Sequence, residues 1–262
     1  MHIRPLVFVM LLLLSSCSLK EESELVMPVS PAHLFVEAYL LPGEPLRLSL
    51  IRTSTFQEDL ALKLVWNAEV ELLLPDTTIQ LQNIFYKEKG SGKLVNYAST
   101  YLMPVMLPGD SVRLRIINGD KADRLYAATE PVEQVKITGW SFDGTQIRVS
   151  CENGAEPRNR FYGIYLEYEQ EGKTKRKTEY YDHSLSGEEE LTFRLDVAAG
   201  QQPYRVVLYR VTQANYSFQR ALQQASRSNV DPFEPPVVLP TNVRGGQGVF
   251  TYSTQDSLLI VR

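Results

Sequence analysis

The residue types that carry most enzyme chemistry are scarce in this chain of 262 residues. It has three histidines, His2, His33 and His183, and two cysteines, Cys17 and Cys151. Their positions give no metal-ligand spacing and no pairing of a nucleophile with a base. His33 opens a predicted strand and His183 lies in a polar turn, so both are interpreted as hydrogen-bonded or solvated. We therefore expect a protein that is not an enzyme and that has no resident metal or cofactor.

Cys17 is the residue with the most clearly defined chemistry. It follows Leu14-Ser15-Ser16, which closes a nine-residue apolar run that begins at Leu6 after the basic Arg4. A charged start, a short apolar core and small residues before the cut are the layout of a secretory signal. The run is about half of what a bilayer-spanning helix needs. The motif resembles the bacterial lipobox, and we predict that residues 1–16 are removed and that Cys17 carries acyl chains such as palmitate. The alternative is an ordinary secretory signal that ends near a cysteine.

Residues 17–30 are predicted to be an acylated N-terminus followed by a flexible tether. The stretch from Ser18 to Glu24 is polar and acidic and has neither a strand pattern nor a turn pattern. It resembles the acidic stretch that follows the acylated cysteine in surface-exposed lipoproteins of the Bacteroidota. The alternative is a solvated leader without sorting information. We expect a lipid-anchored protein of the outer membrane that faces the cell exterior.

Composition limits the remaining classes. Removal of the first 16 residues from 262 leaves 246, enough for one large β domain or two of ordinary size. The net charge of −4 gives no reason to expect nucleic acid as a partner. Cys151 alternates with Ile147 and Val149, so it is predicted to be a small buried hydrophobe; a catalytic thiol is the less favoured alternative.

Three charged or glycine-rich segments are candidate binding sites. Glu188-Glu189-Glu190 lacks the alternating ligands of a calcium loop and is interpreted as a solvated loop. The run from Gly245 to Gly248 lacks the Lys-Ser/Thr of a phosphate-binding loop and is interpreted as a structural turn. Residues 171–177 are predicted to be a hairpin tip, whose basic residues Lys173 to Lys177 end a soluble hairpin or contact an acidic ligand.

Alternation of apolar and polar residues dominates the rest of the chain and predicts an all-β protein. Strands are predicted where this pattern is regular and Pro, Gly and Asp punctuate the turns. The pattern favours two tandem β-sandwich domains of the immunoglobulin or fibronectin kind. Their predicted bounds are 31–131 and 132–262. One short helix is predicted from Asn215 to Ser226.

The C-terminal segment has an unusual order of residues. Three prolines disfavour regular structure near residue 232, and three glycines that follow permit positive-φ turns or a close backbone approach. The residues that define this motif are Asp231, Pro232, Phe233, Asn242, Gly245, Gly246, Gly248 and Phe250. Their order resembles the closing signature of a family of Bacteroidota lipoproteins whose domain has no assigned function. In that family an Asn usually precedes the proline where this chain has Asp231, and an apolar residue is more usual where it has Gln247.

The resemblance implies a role rather than a reaction. Members of that family are typically encoded near TonB-dependent receptors of the SusC kind, which implies a non-enzymatic, accessory ligand-binding or lid component of a nutrient uptake system. The alternative is a fimbrial or adhesin subunit, because Ser257 to Arg262 is apolar on both faces, as an inner or donated strand would be. A hydrolase is the third and least favoured class. The ligand is not implied.

Overall fold

A computed structural model describes most of the chain from Ala32 to Ile260. The described residues are 32–54, 62–88, 91–107, 109–119, 123–228, 230, 235 and 237–260. The predicted signal peptide, Cys17, the whole tether over residues 17–30 and the run Asp231-Pro232-Phe233 lie outside the described residues. None of the helices in these described ranges is long and apolar enough to cross a bilayer.

The described residues contain sixteen strands and one α-helix. The first eight strands are β1 (Leu34–Leu40), β2 (Pro45–Arg52), β3 (Lys63–Leu64), β4 (Ala68–Leu73), β5 (Thr78–Lys87), β6 (Leu94–Leu102), β7 (Val112–Asn118) and β8 (Asp123–Thr129). The others are β9 (Ile137–Phe142), β10 (Gln146–Glu152), β11 (Phe161–Gln170), β12 (Lys173–Asp182), β13 (Glu190–Asp196), β14 (Gln202–Val211), β15 (Val243–Arg244) and β16 (Gln247–Leu259). The helix α1 spans Gln213–Ser228. The predicted all-β class with a short helix near the C-terminus is confirmed.

The strands form two sheets. Thirteen of them make one sheet in the order β12-β11-β14-β16-β1-β2-β6-β5-β4-β7-β8-β15, with β3 paired to β2. The second sheet has the order β13-β10-β9. The pair β1–β16 is parallel, with Phe35 opposite Gln247, whereas the neighbouring pairs β1–β2 and β14–β16 are antiparallel.

Two clusters of buried side chains hold these sheets. The first lies inside the long sheet where it folds over itself, and Val36, Leu50 and Leu114 belong to it. The second lies between the three-stranded sheet and the strands β11 and β14, as in a β-sandwich, and includes Phe193 and Leu208. Each large apolar side chain buried in this way stabilises the fold by roughly 1.5–3 kcal/mol.

Strand β16 contributes to both clusters. Its first half pairs with β1 and its second half pairs with β14. Phe250 and Tyr252 are buried in the first cluster, whereas Leu258 packs against the second and Ile260, which follows the strand, is buried in it. Part of the segment assigned from sequence to the unit 132–262 therefore packs with residues of the unit 31–131, because strand pairing over this distance leaves no trace in the local alternation.

The hairpin between β11 and β12 differs from its prediction. The turn contains only Glu171 and Gly172, with φ of 54° and 68°, a combination that matches the twist of the flanking strands. Residues Lys173 to Lys177 are part of β12 and pair with β11 as far as Leu166. The prediction of a tip over 171–177 is wrong, because the two-residue turn lets the strands continue almost to the bend.

Candidate functional site

A cleft of about 460 Å³ opens on the long sheet beside helix α1. This volume lies within the range of small-molecule sites, roughly 300–1,000 Å³. Strands β1, β2, β11, β12 and β14 and the helix α1 all contribute to its lining. We call it the tyrosine cleft; the lining residues discussed below are Glu37, Tyr39, Arg47, Glu88, Lys93, Gly163, Tyr165, Arg176, Tyr180, Tyr209, Asn215 and Gln219.

Helix α1 is fixed to the sheet at its start and along one side. Thr212 precedes the helix, and its Oγ1 accepts a hydrogen bond from the Asn215 backbone N at 3.2 Å, as an N-cap does. Phe218 is fully buried, with its ring centre 6.2 Å from that of Phe35. Asn215 and Gln219 are four residues apart, so they share one side of the helix, and both line the cleft.

Four tyrosines give the cleft its aromatic surface. The ring centres of Tyr165 and Tyr209 are 5.5 Å apart, with 39° between the ring planes. Tyr180 lies over Gly163, where a Cβ would be 2.9 Å from the Tyr180 Cε1. The absence of a side chain at Gly163 therefore sets the position of the Tyr180 ring.

Three of these tyrosines, Tyr39, Tyr180 and Tyr209, have hydroxyls with a raised pKa that stay protonated. Burial raises the pKa of Tyr180 to about 12. Burial also raises the pKa of Tyr209 and of Tyr39 far above the usual value, and the carboxylate of Glu37 adds to the effect at Tyr39. Each hydroxyl is therefore neutral at physiological pH and can both donate and accept a hydrogen bond.

Two of the cations beside the cleft lie over tyrosine rings and are held by carboxylates. Lys93 Nζ is 2.6 Å from Glu37 Oε2 and 3.8 Å from the centre of the Tyr39 ring. Arg176 Nη2 donates to Glu167 Oε1 at 2.8 Å, and its Cζ is 4.0 Å from the centre of the Tyr165 ring. Such cation–π contacts fix the long side chains in place.

The third cation of the cleft is also paired. Arg47 Nε is 3.1 Å from Glu88 Oε1. The lining thus has three cations, with Lys93 and Arg176 the other two, against the two carboxylates Glu37 and Glu88. The cleft is nearly neutral and its charges are fixed.

One polar atom of the cleft lining has no partner. Asn215 is 5% exposed, and its Oδ1 accepts no hydrogen bond from the described residues. A buried acceptor left unpaired costs about 1–3 kcal/mol. Gln219 is satisfied, because its Nε2 donates to Tyr39 Oη at 2.9 Å. Buried polar atoms without a partner are rare in folded proteins, and a bound ligand that donates to Asn215 Oδ1 would satisfy this one.

The glycine motif lies away from the tyrosine cleft, where β15 and β16 meet β8 and β1. The Asn242 side chain donates to Phe250 O at 2.7 Å and accepts from Phe250 N at 3.0 Å. Gly245 and Gly248 have φ of 84° and 116°, and a Cβ on either would fall on a carbonyl oxygen of the neighbouring strand. A Cβ on Gly246 would likewise meet backbone and side-chain atoms.

A second, more open hollow of about 560 Å³ lies next to this motif, on β7, β8 and β15. We call it the arginine hollow, after Arg113, Arg115 and Arg244; the lining also includes Tyr126 and Ala128. The local alternation of side chains predicts neither the tyrosine cleft nor the arginine hollow. The regular alternation of Arg113 and Arg115 with buried residues was visible, but the arrival of Arg244 beside them was not.

An aromatic patch is exposed at the opposite side of β4, around β5. Trp66 and Phe85 are 40% and 58% exposed, and their ring centres are 6.0 Å apart in an edge-to-face arrangement. Ile84 is 46% exposed beside them. The pairing of β5 with β6 shifts register between Asn83 and Tyr86, the stretch that contains Ile84 and Phe85.

Cys151 and His183 line neither the tyrosine cleft nor the arginine hollow. Cys151 is fully buried, as predicted, and burial raises its pKa to about 11, which keeps the thiol protonated. His183 begins a turn, as predicted, with its carbonyl accepting from Ser186 N at 2.9 Å, but its ring packs beside those of Tyr162, Tyr181 and Phe193 instead of being solvated. Within the described ranges, no three His, Cys, Asp or Glu side chains are grouped so that they could hold a metal ion.

The comparison with family models identifies the family. The model described as "Domain of unknown function (DUF4249)" matches residues 20–258, which is nearly all of the chain, and the chain belongs to this family. The resemblance to a domain without assigned function is thereby confirmed at this level. No curated protein matches the chain.

Proposed function

We propose that this DUF4249 member is a non-enzymatic, lipid-anchored protein of the outer surface of a Bacteroidota cell, which binds a ligand in the tyrosine cleft as an accessory of a TonB-dependent uptake system. The observation that carries the proposal is the cleft itself. It combines aromatic faces, neutral hydroxyls and fixed charges with one unpaired buried acceptor on Asn215. Binding sites for small molecules have this combination of apolar walls and a few placed polar groups.

The lining favours a polar organic ligand of low net charge. Three cations and two carboxylates surround the cleft, so a strongly anionic molecule would meet Glu37 and Glu88 as well as the cations. A ligand with hydroxyl or amide groups would pair with the tyrosine hydroxyls, and an N–H or O–H of the ligand would satisfy Asn215 Oδ1. Stacking against Tyr165 and Tyr209 would provide apolar contact.

The charged groups of the cleft are better suited to orienting a bound ligand than to transferring a proton. Lys93, Arg47 and Arg176 are each held within hydrogen-bonding or ion-pair distance of a carboxylate. A general base or nucleophile would need a free group with a pKa near the working pH. This arrangement supports a binding protein over a hydrolase.

The predicted anchor and the aromatic patch support the role in uptake. A tether over residues 17–30 would keep the body within a few tens of Å of the membrane, at most ~3.5 Å per residue. Two partners anchored in one membrane meet at a raised effective concentration, so a modest interface suffices. The exposed Trp66 and Phe85 are the kind of side chain that anchors such an interface, here with a SusC-like receptor.

The alternative role as a fimbrial or adhesin subunit would need a strand donated between copies. Strand β16 pairs with β1 along its first half and with β14 along its second half, both within its own chain. A strand already paired within its own sheet would have to leave that sheet before a neighbouring subunit could receive it. The pairing of β16 thus favours the binding role.

Ligand binding is tested with the mature lipoprotein in detergent. A library of sugars, peptides and other polar metabolites is screened by thermal shift, and hits are titrated against Gly163→Ala, which pushes the Tyr180 ring into the cleft. Gly187→Ala is the matched control, because nothing lies within 4 Å of a Cβ there. We expect a hit whose affinity falls in the first variant alone. Equal affinities in both variants would contradict binding in the cleft.

The partner is tested separately in intact cells. Photo-crosslinking from position 85 is expected to capture an outer-membrane receptor, and a crosslinker at exposed Leu185 is the control. A deletion strain should grow poorly on one scarce nutrient. Crosslinks to no receptor, together with growth unchanged on every nutrient tested, would argue against the uptake role.

A further inference from the structure

The arginine hollow concentrates uncompensated positive charge on a chain whose net charge is −4. Arg113, Arg115 and Arg244 line it, and no carboxylate does. Arg115 pairs with Glu71, whereas neither Arg113 nor Arg244 has an ion-pair partner among the described residues. Surface arginines are usually interspersed with acidic side chains, so this grouping favours the binding of an anionic ligand.

Strand register brings these side chains to one place. Arg115, Tyr126 and Arg244 lie side by side on three adjacent strands, because Arg115 is opposite Tyr126 and Tyr126 is opposite Arg244. Arg113 is opposite Ala128 on the next row of the same face. Directly opposed residues are about 5 Å apart, so the exposed Tyr126 ring stands between two arginines.

The hollow exists because its centre carries small and apolar side chains. Ala128 is exposed and offers only a methyl group, and the backbone of Leu114 and Ala127, whose side chains are buried on the other face of the sheet, completes the floor. The side chains of Arg113, Arg115 and Arg244 lie around this floor. The result is a depression wide enough for one charged group and part of the molecule that carries it.

The glycine motif is what places Arg244 in this hollow. A Cβ on Gly245 would fall on the Arg124 carbonyl oxygen and one on Gly246 on the Leu125 side chain, so only glycine lets β15 approach β8 this closely. The Asn242 side chain holds the segment to Phe250 from the other side. The motif residues therefore shape a site as well as a turn.

We propose that the arginine hollow binds a phosphate monoester. Guanidinium groups match the geometry of phosphate oxygens with paired N–H donors, and the Tyr126 hydroxyl supplies a further donor. A dianion is favoured over a single carboxylate, because two arginines without partners and a third shared with Glu71 face the same depression. The phosphate belongs either to a soluble phosphorylated molecule or to a lipid headgroup.

Titration of the mature lipoprotein in detergent tests this site. Inorganic phosphate and glucose 6-phosphate represent the soluble source, and a short-chain phosphatidic acid represents the lipid source. Glucose, glucuronate and short-chain phosphatidylcholine are the matched ligands that lack a phosphate monoester. We expect binding of at least one phosphate monoester and an affinity that falls as salt rises; the stronger of the two arms identifies the source.

Variants assign the binding to the hollow. Arg244→Gln and Arg113→Gln should each weaken phosphate binding about tenfold, the loss of one charge-assisted contact. Arg194→Gln is the control, because Arg194 is an exposed strand arginine of the other sheet and should change nothing. All three are exposed, so circular dichroism should show unchanged melting.

Three results would overturn the proposal. The first is no binding in either arm, and the second is glucuronate binding as tightly as glucose 6-phosphate. The third is an affinity that is lowered no more by Arg244→Gln and Arg113→Gln than by Arg194→Gln. None of them bears on the tyrosine cleft, which is tested with other ligands and other variants.

Discussion

The tyrosine cleft and the arginine hollow lie on the same long sheet and have similar volumes. They differ in whether their cationic side chains are paired with carboxylates. In the cleft, Lys93, Arg47 and Arg176 are each neutralised by a carboxylate. In the hollow, Arg113 and Arg244 have no such partner among the described residues. Fixed and compensated charges orient a polar ligand, whereas uncompensated charges attract an anion. The comparison predicts that the two regions bind different chemistry and respond differently to salt.

The two regions also differ in how the chain builds them. The cleft collects side chains from strands at distant positions along the chain and from α1. The hollow depends on β7 and β8, which are neighbours in sequence, and on the glycine motif that brings β15 to them. Damage to the motif should therefore affect the hollow first, unless it also disturbs β16, which is hydrogen-bonded to Asn242 of the motif and lines the cleft at Ser253.

The largest expected effect comes from Gly248→Ala. Gly248 has φ of 116°, and a Cβ there would fall on the Val36 carbonyl oxygen. Strain and loss of the β1–β16 pairing should lower the free energy of unfolding by on the order of 3 kcal/mol or more. Urea unfolding measures it, with Gly187→Ala as the control. Unchanged stability together with lost ligand binding would make this glycine part of a binding site instead.

Asn215→Leu should lower the affinity of the cleft for its ligand without lowering the stability of the protein. The substitution removes a buried acceptor without a partner, so stability should be unchanged or higher by up to about 1 kcal/mol. Affinity for the cleft ligand should fall about tenfold, since one hydrogen bond is lost, while phosphate binding in the hollow should not change. Thermal unfolding and titration with both ligands measure this. A loss of stability would mean that Asn215 is a structural residue.

The stability of the protein should fall as the pH rises above 10, and the cleft tyrosines should contribute to the fall. Tyr180 has its pKa raised from 10 in the unfolded chain to about 12 in the folded protein. Its contribution is therefore complete below pH 10 and is lost between pH 10 and 12. Tyr180→Phe should make the fall less steep, as measured by urea unfolding at several pH values. Tyr204→Phe, at an exposed tyrosine of β14, is the control and should leave the slope unchanged.

The smallest expected effect is that of Lys93→Gln. The side chains of Lys93 and Glu37 are 35% and 20% exposed, so their ion pair should contribute about 0.2–1 kcal/mol to stability. Loss of the cation should leave Glu37 uncompensated and weaken the cleft for any ligand that carries negative charge. Titration with neutral and anionic analogues of the cleft ligand measures this. An equal change in the affinities for the neutral and the anionic analogue would show that Lys93 acts only by packing on the Tyr39 ring.

Local sequence determined most of the strands and the helix. Alternation at Leu46, Leu48 and Leu50 predicts β2, which spans Pro45–Arg52. The helix predicted from Asn215 to Ser226 spans Gln213–Ser228. Cys151 is buried as its place in the alternation predicts. These features follow from the period of the side chains along one strand or helix, which the sequence carries directly.

Tertiary structure alone decided which strands become neighbours. The alternation in β16 shows a strand, but not that its first half pairs with β1 in parallel and its second half with β14. The same holds for Arg176. The sequence predicts this residue in a hairpin tip, whereas it lies on β12 and lines the cleft. Pairing depends on the joint packing of side chains far apart in sequence, so the cleft and the hollow arise only once the sheet has formed.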